Sequence, residues 1–66
     1  MKAFEVVKIL KKNGWHEVHC VGSHHVFKHK DHPEKRIPFA YHRETEEIPK
    51  NKIRKMEKQF GIKILP

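Results

Sequence analysis

The 66-residue sequence has a single cysteine, only three glycines and no long apolar run. One cysteine, Cys20, excludes an intramolecular disulfide. A membrane span needs roughly 18 consecutive apolar residues, and no segment approaches that length. Lys8 also interrupts the N-terminal apolar residues, which is not the pattern of a signal peptide. We therefore expect a cytoplasmic protein without a disulfide or a membrane span.

Acidic residues are scarce relative to basic ones. The chain has 15 lysines and arginines against 8 aspartates and glutamates, which gives a net charge of +7 with histidine neutral. A positive field of this size on so short a chain attracts polyanions before any specific contact forms. Nucleic acid is therefore the expected class of partner. The length leaves material for one hydrophobic core only, so residues 1–66 are expected to form one domain.

Hydrophobic periodicity predicts an α+β fold with a helix at each end. The first helix is expected over residues 2–13, with Gly14 supplying the left-handed stop. Aromatic and branched residues then predict strands over 15–20 and 24–29, joined by a tight turn. A third strand is expected over 35–39 after a turn at 30–34. Pro38 limits that strand to an edge or an end of the sheet.

The second helix is indicated by apolar residues at helical spacing near the C-terminus. Asn51 is the predicted N-cap and Gly61 the predicted terminator. The apolar tail residues that follow either pack back on the core or form a small apolar patch; they are Ile62, Ile64 and Leu65. Among the aromatic residues, Trp15, Phe27 and Phe60 are expected in the core, whereas Phe39 and Tyr41 are expected to stack on bases.

Seven histidines stand in this short chain, two of them adjacent in the stretch GSHHVF at residues 22–27. Imidazole can act as a general acid or base near neutral pH. On an extended strand His24 and Lys28 share one face, and His25 and His29 share the other. Because Val26 and Phe27 are both apolar, periodicity does not decide which face is exposed.

Clustered histidines beside a cysteine also raise the possibility of a zinc site. The argument against it is distance, because His25 and His29 lie roughly 13 Å apart along an extended strand. We therefore expect no metal and no cofactor.

Three segments of the sequence resemble the HicA toxins, small mRNA interferases that are also called YcfA-like. They are ILKKNGW at residues 9–15, GSHHVFKH at residues 22–29 and IPKNKIRKMEKQFGI at residues 48–62. The resemblance implies a fold like the double-stranded RNA-binding domain, α1-β1-β2-β3-α2, with two helices on one face of a three-stranded antiparallel sheet. It also implies ribosome-independent cleavage of mRNA and neutralisation by a cognate HicB antitoxin.

The resemblance assigns the functional histidine to the position after Gly-Ser. His24 is therefore the expected general base, and His25 is the second candidate because some relatives have their histidine there. The other candidate RNA-binding residues are Gly22, Ser23, Lys28, His29, Arg36 and His42. The alternative is a non-catalytic RNA-binding module of the same fold. The homo-oligomeric state is left open.

Overall fold

The computed structural model describes residues 1–66 and contains two helices and three strands. In chain order they are α1 (Ala3–Lys12), β1 (Trp15–Val21), β2 (His24–His29), β3 (His32–Ala40) and α2 (Lys50–Phe60). The predicted α+β order of helix, three strands and helix is therefore confirmed. It is consistent with a fold like the double-stranded RNA-binding domain. Neither helix has the length and apolar composition that a membrane crossing requires.

The strands form an antiparallel meander in the order β1-β2-β3, and both helices cover the same face of it. One face of the sheet and the inner faces of both helices bury their side chains in a single cluster. Its members are Ala3, Val6, Leu10, Trp15, Phe27, Ile37, Phe39, Tyr41, Ile48, Ile53, Met56 and Ile64. The opposite face of the sheet is left open to solvent.

Phe39 and Tyr41 belong to this core, so the prediction that they are exposed stacking platforms is wrong. Phe39 is 1% exposed and Tyr41 is 8% exposed. Side chains alternate along a strand, so Phe39 shares the inward face of Ile37 two residues earlier. Tyr41 continues the same alternation just beyond the end of β3.

The third strand begins three residues earlier than predicted, at His32 rather than at residue 35. The connecting turn is reduced to residues 30–31 because the Asp31 N–H donates to Nδ1 of His29 at 3.0 Å. A register shift after Lys28 then lets His29 pair with His32. β3 lies at the edge of the sheet, where proline is tolerated, as Pro38 predicted.

The second helix is capped by Pro49 and not by Asn51. The N–H groups of Lys52 and Ile53 both donate to the Pro49 carbonyl, and Asn51 lies exposed in the first turn. Pro49 has an extended backbone, with φ −62° and ψ 145°, and the helix begins at Lys50, so its cap lies two residues before the predicted one. Gly61 ends it at φ +65°, as predicted.

The C-terminal tail packs back on the core, which decides between the two alternatives left by the sequence. Ile64 is buried, and Ile62 and Leu65 pack against the same cluster. The Glu57 carboxylate accepts hydrogen bonds from the N–H groups of Ile64 at 2.6 Å and Leu65 at 2.8 Å. Glu57 therefore holds the tail in place.

The start of α1 is joined to the segment before α2. The Ala3 N–H donates to the Glu46 carbonyl at 2.8 Å, and the Phe4 N–H donates to the Glu44 carbonyl at 2.9 Å. These bonds satisfy two of the N–H groups that a helix leaves without intrahelical partners. The segment after β3 is thereby fixed beside the outer face of α1.

Candidate active site

Strand β2 directs its two adjacent histidines to opposite faces of the sheet. Phe27 is fully buried on the helix-covered face, and side-chain alternation places His25 on that face with it. His24 therefore lies on the open face and is exposed. The question that periodicity left undecided is thus settled, because His24 is the solvent-facing histidine and His25 is the partly buried one.

The open face brings His24 onto the same surface as two of the predicted phosphate contacts. Lys28 lies on the face of His24 and pairs across the strands with Arg36. His24 and Lys28 are separated by roughly 13 Å along the strand. We call His24, Lys28 and Arg36 the open-face set.

On the helix-covered face, the ring of His25 is held by a carboxylate. Its Nδ1 lies 2.7 Å from Oε1 of Glu17, and the His25 side chain is 14% exposed. A carboxylate oxygen only accepts hydrogen bonds, so Nδ1 carries the proton of this bond. In the neutral form of the ring, Nε2 of His25 is then the nitrogen without a proton, and this nitrogen can act as a base.

A β-bulge in β1 places Glu17 at that position. Glu17 pairs with Phe27 and His19 pairs with Val26, so Val18 is an extra residue without a partner. The extra residue shifts the alternation of β1 by one, and Glu17 and Cys20 then point to the same face. Cys20 pairs directly with His25. One ligating atom from each of Glu17, Cys20 and His25 lies within 4.8 Å of the other two.

The ring of Tyr41 packs against the ring of His25. The two rings stack with centroids 3.8 Å apart and planes 3° apart. Burial raises the pKa of the Tyr41 hydroxyl, and the nearby acidic groups of Glu17, Glu44 and Cys20 raise it further. This hydroxyl therefore stays protonated at neutral pH and is a hydrogen-bond donor rather than a base.

Tyr41 also lines a groove of about 290 Å³ that runs along α1. Its lining consists of Phe4, Val7, Lys8, Lys11, Tyr41 and Glu44. Phe4 is 48% exposed and contributes an aromatic ring to this groove. The groove thus combines two lysines and one carboxylate, that of Glu44, with an exposed aromatic ring, and Tyr41 contacts both the groove and His25.

The Gly-Ser turn ties the start of β2 to the end of β3. Gly22 has φ +59°, which favours glycine, and a Cβ there would meet no atom within 4 Å. The Ser23 carbonyl accepts a hydrogen bond from the Tyr41 N–H at 3.0 Å. The turn therefore positions Tyr41 next to the histidine pair, a role separate from the phosphate contact that the sequence predicted for Gly22 and Ser23.

Both ring nitrogens of His29 are used within the chain. Nε2 donates to the Asn13 carbonyl at 2.8 Å, and Nδ1 accepts from the Asp31 N–H at 3.0 Å. The ring also packs edge-on against Trp15, with centroids 5.2 Å apart. These contacts give His29 a structural role at the junction of α1, β1 and β2, and we do not propose it as a phosphate contact.

His42 lies exposed in the segment after β3. Its backbone N–H donates to Oε1 of Glu46 at 2.8 Å, and this bond is the main reason why the pKa of Glu46 is lowered. The bond involves the backbone of His42 and leaves its ring free. The predicted role of His42 in RNA binding stays a prediction.

The sequence analysis missed three residues of this region: Glu17, Lys8 and Lys11. Glu17 is the only acidic residue of β1, and it stands on the strand that pairs with the histidines. This isolated acidic residue is the one feature of the sequence that could have indicated a partner for a histidine of β2. The bulge that aims it at His25 has no recognisable pattern in the sequence.

One comparison identifies the chain. The family model described as "HicA toxin of bacterial toxin-antitoxin" matches residues 4–62 of the 66. No curated protein and no solved structure shows a significant match. The matched range runs from the first turn of α1 to two residues beyond α2, and it contains every residue of the region around His25. The protein is therefore a member of the HicA toxin family of bacterial toxin–antitoxin systems.

Proposed function

We propose that this HicA-family toxin is an endoribonuclease that cleaves mRNA without a metal ion and uses a histidine of β2 as its general base. The observation that carries the proposal is the hydrogen bond between His25 and Glu17, 2.7 Å long, beside a basic groove. A base whose second nitrogen is oriented by a carboxylate is a recurring arrangement in enzymes that activate a hydroxyl group. Of the two histidines predicted from the sequence, this geometry favours His25.

The chemistry needs only the protein, the RNA and solvent water, which is the acid that protonates the leaving oxygen. Nε2 of His25 takes the proton of a ribose 2′-hydroxyl, and the resulting alkoxide attacks the adjacent phosphorus. The bond from phosphorus to the 5′-oxygen breaks, and that oxygen gains a proton from an acid. The products are a 2′,3′-cyclic phosphate and a free 5′-hydroxyl. Glu17 stabilises the imidazolium that forms when His25 accepts the proton.

The groove is the proposed path for the RNA strand. Lys8 and Lys11 are three residues apart on α1 and therefore lie on one side of the helix. Their ammonium groups are suited to contact phosphates of a strand that passes Tyr41. Phe4 offers an exposed aromatic surface in the same groove, on which an unpaired base can stack.

The open-face set is the competing location. There His24 is the base, as the sequence analysis first predicted, and Lys28 and Arg36 contact phosphates farther along the strand. The sheet separates His24 from His25, so one scissile phosphate does not engage both rings. The two locations therefore make opposite predictions for single substitutions.

As the toxin of a toxin–antitoxin pair, the protein is expected to be neutralised by a cognate antitoxin. We propose a HicB-like partner that covers the histidines of β2. The net charge of +7 favours an acidic surface on that partner. Co-expression of the partner is then expected to relieve the growth arrest that the toxin alone causes.

A cleavage assay with labelled RNA and EDTA tests the proposal, using the parent protein, His25→Ala, His24→Ala and the control His16→Ala. His16 is exposed on the open face, where it pairs with Lys28, and it is not among the residues assigned to either location. The parent, His24→Ala and His16→Ala are expected to produce fragments. His25→Ala is expected to lose about 10²- to 10⁴-fold in rate, the usual contribution of a positioned base. Circular dichroism checks that each variant is folded.

Three other results of the cleavage assay would contradict the proposal. If His24→Ala is inactive and His25→Ala is active, the site lies in the open-face set. If the parent retards RNA in a gel but leaves it intact, the protein is a non-catalytic RNA-binding module of the same fold. If EDTA alone abolishes cleavage, the reaction depends on a metal and the proposed mechanism is wrong.

A further inference from the structure

We propose that Glu17, Cys20 and His25 form a binding site for a thiophilic divalent cation, with Zn²⁺ as the best fit, and that its occupancy stops RNA cleavage. The proposal that the cation binds depends only on the geometry, and the proposal that it inhibits cleavage rests on the proposed function of His25. A carboxylate oxygen, a sulfur and a ring nitrogen lie within 4.8 Å of one another at the exposed β1 edge of the sheet.

The three residues meet because of two features of the β1–β2 hairpin. Cys20 and His25 are direct partners across the strands, which brings their side chains together on one face. The extra residue Val18 turns Glu17 to that same face, although Glu17 and Cys20 are three positions apart and would point apart on a regular strand. The sequence argument against zinc compared two histidines on one strand, His25 and His29. The present three ligands come from two strands, β1 and β2.

The donor set matches zinc better than it matches calcium or magnesium. Zinc takes sulfur, nitrogen and carboxylate ligands at about 2.0–2.3 Å in a tetrahedral arrangement, whereas the hard cations prefer several oxygen atoms. Those bond lengths place neighbouring ligand atoms roughly 3.5 Å apart. Nδ1 of His25 and Oε1 of Glu17 are 2.7 Å apart, so reaching that spacing requires rotation of the Glu17 and Cys20 side chains, and both residues are exposed.

Three protein ligands leave a fourth position for water. The Cys20 thiol now makes a long contact of 3.5 Å to the Gly22 carbonyl, and it loses its proton when the sulfur binds the cation. Coordination occupies a ring nitrogen of His25 and takes the Glu17 carboxylate into the coordination sphere. The bound cation thereby removes both partners of the bond that prepares His25 as a base, so zinc is an inhibitor of cleavage rather than a cofactor.

Titration with Co²⁺ in place of zinc tests the site without any RNA. Cys20 is the only cysteine of the chain, so a thiolate-to-cobalt charge-transfer band reports Cys20 specifically. The parent protein is expected to develop this band together with the intense visible bands of four-coordinate cobalt. An equivalent of Zn²⁺ is expected to bleach both. Cys20→Ser is expected to lose the charge-transfer band, and its zinc affinity is expected to fall at least about tenfold.

His19→Ala is the matched control for metal binding by a surface histidine. His19 is exposed on β1 next to Cys20, but it pairs with Val26 and points to the open face. This variant is expected to keep the parent's cobalt spectrum and zinc affinity. Absence of the charge-transfer band in the parent overturns the site, and so does equal zinc affinity in the parent and Cys20→Ser. Circular dichroism of Cys20→Ser confirms that its fold is retained.

Cleavage assays on the metal-free protein then test the inhibition. Stoichiometric Zn²⁺ is expected to stop cleavage by the parent, and a chelator is expected to restore it. Cys20→Ser is expected to cleave RNA at the parent's rate and to need at least about ten times more zinc for the same inhibition. Zinc binding without inhibition, or equal inhibition of both proteins, overturns the inhibitory half. An inactive parent refutes the proposed nuclease function and leaves the cobalt spectra to decide the site.

Discussion

The imidazole of His25 lies flat against the phenol ring of Tyr41, with centroids 3.8 Å apart and planes 3° apart. The stack fixes the plane of the His25 ring, and the bond from Nδ1 to Glu17 fixes its rotation within that plane. The Tyr41 backbone is in turn bonded to the Ser23 carbonyl at the start of β2. The ring is thus held in one orientation, which in the proposed cleavage reaction avoids the entropic cost of ordering it.

Substitution of Tyr41 separates the effect of stacking from that of the hydroxyl. Tyr41→Phe keeps the aromatic ring and is expected to cleave RNA at nearly the parent's rate. Tyr41→Leu fills much of the space without an aromatic face and is expected to lower kcat by about 2- to 13-fold, the equivalent of about 0.5–1.5 kcal/mol for an aromatic pair. Single-turnover cleavage measures both. Equal loss in the two variants would instead assign the effect to the hydroxyl.

The salt dependence of RNA binding shows which surface holds the phosphates. If the strand runs along the groove, Lys8→Gln combined with Lys11→Gln removes two phosphate contacts. The slope of log affinity against log salt is then expected to fall by about 1.4. Lys28→Gln combined with Arg36→Gln removes the same charge from the open face and is expected to leave the slope unchanged. Fluorescence anisotropy over a range of salt concentrations measures both slopes, and the reverse result places the RNA on the open-face set.

Local patterns predict the elements of this fold better than their ends. The amphipathic spacing of α1 and α2 and the glycine after each were sufficient to place both helices. The start of β3 depends on a hydrogen bond from the Asp31 N–H to the ring of His29, which no local pattern encodes. The sequence favours Asn51 as the N-cap because its side chain can accept a hydrogen bond, whereas the structure has Pro49, which has no such side chain, at the cap.

The candidate site was predictable only in part, for a different reason. The Gly-Ser turn and the histidine pair are adjacent in the sequence, so a local motif is enough to find them. Glu17 reaches His25 only because the extra residue Val18 reverses the alternation of β1. Regular alternation of side chains along β1 would instead predict that Glu17 and Cys20 lie on opposite faces of the sheet. Tyr41 was named as a platform for bases, whereas its ring stacks on His25 instead.

Gly14 is required by the ring of His29. A Cβ at Gly14 would lie 2.6 Å from Nε2 of His29, and the backbone there has φ +94°. The ring cannot move aside without losing its bond to the Asn13 carbonyl. Gly14→Ala therefore combines the cost of a left-handed backbone, about 1–2 kcal/mol, with a steric clash.

Gly61→Ala is the matched control for Gly14→Ala, since Gly61 also has positive φ but a Cβ there meets no atom within 4 Å. Thermal unfolding is expected to show a lower Tm for both variants, with Gly14→Ala lower by at least a further 4–8 °C, or about 1 kcal/mol in a domain of this size. Equal Tm values would mean that His29 does not restrict Gly14.

Glu57 links the stability of the C-terminal tail to pH. Hydrogen bonds from the Ile64 N–H, and secondly from the Leu65 N–H, lower the pKa of Glu57 below its ordinary value. A carboxyl group whose pKa is lowered by folding stabilises the protein above its unfolded-state pKa, and this stabilisation is lost as the pH falls through the folded-state value. Glu57→Gln is therefore expected to be less stable than the parent at neutral pH, and the difference is expected to shrink as the solution is acidified. Urea unfolding of both proteins at a series of pH values measures this difference in the free energy of unfolding.

Glu34→Gln is the control, because Glu34 is exposed and its one ion-pair partner is His32, at 3.8 Å. A stability difference between Glu57→Gln and the parent that stays constant from neutral to acidic pH would show that the carboxylate charge is not what holds the tail.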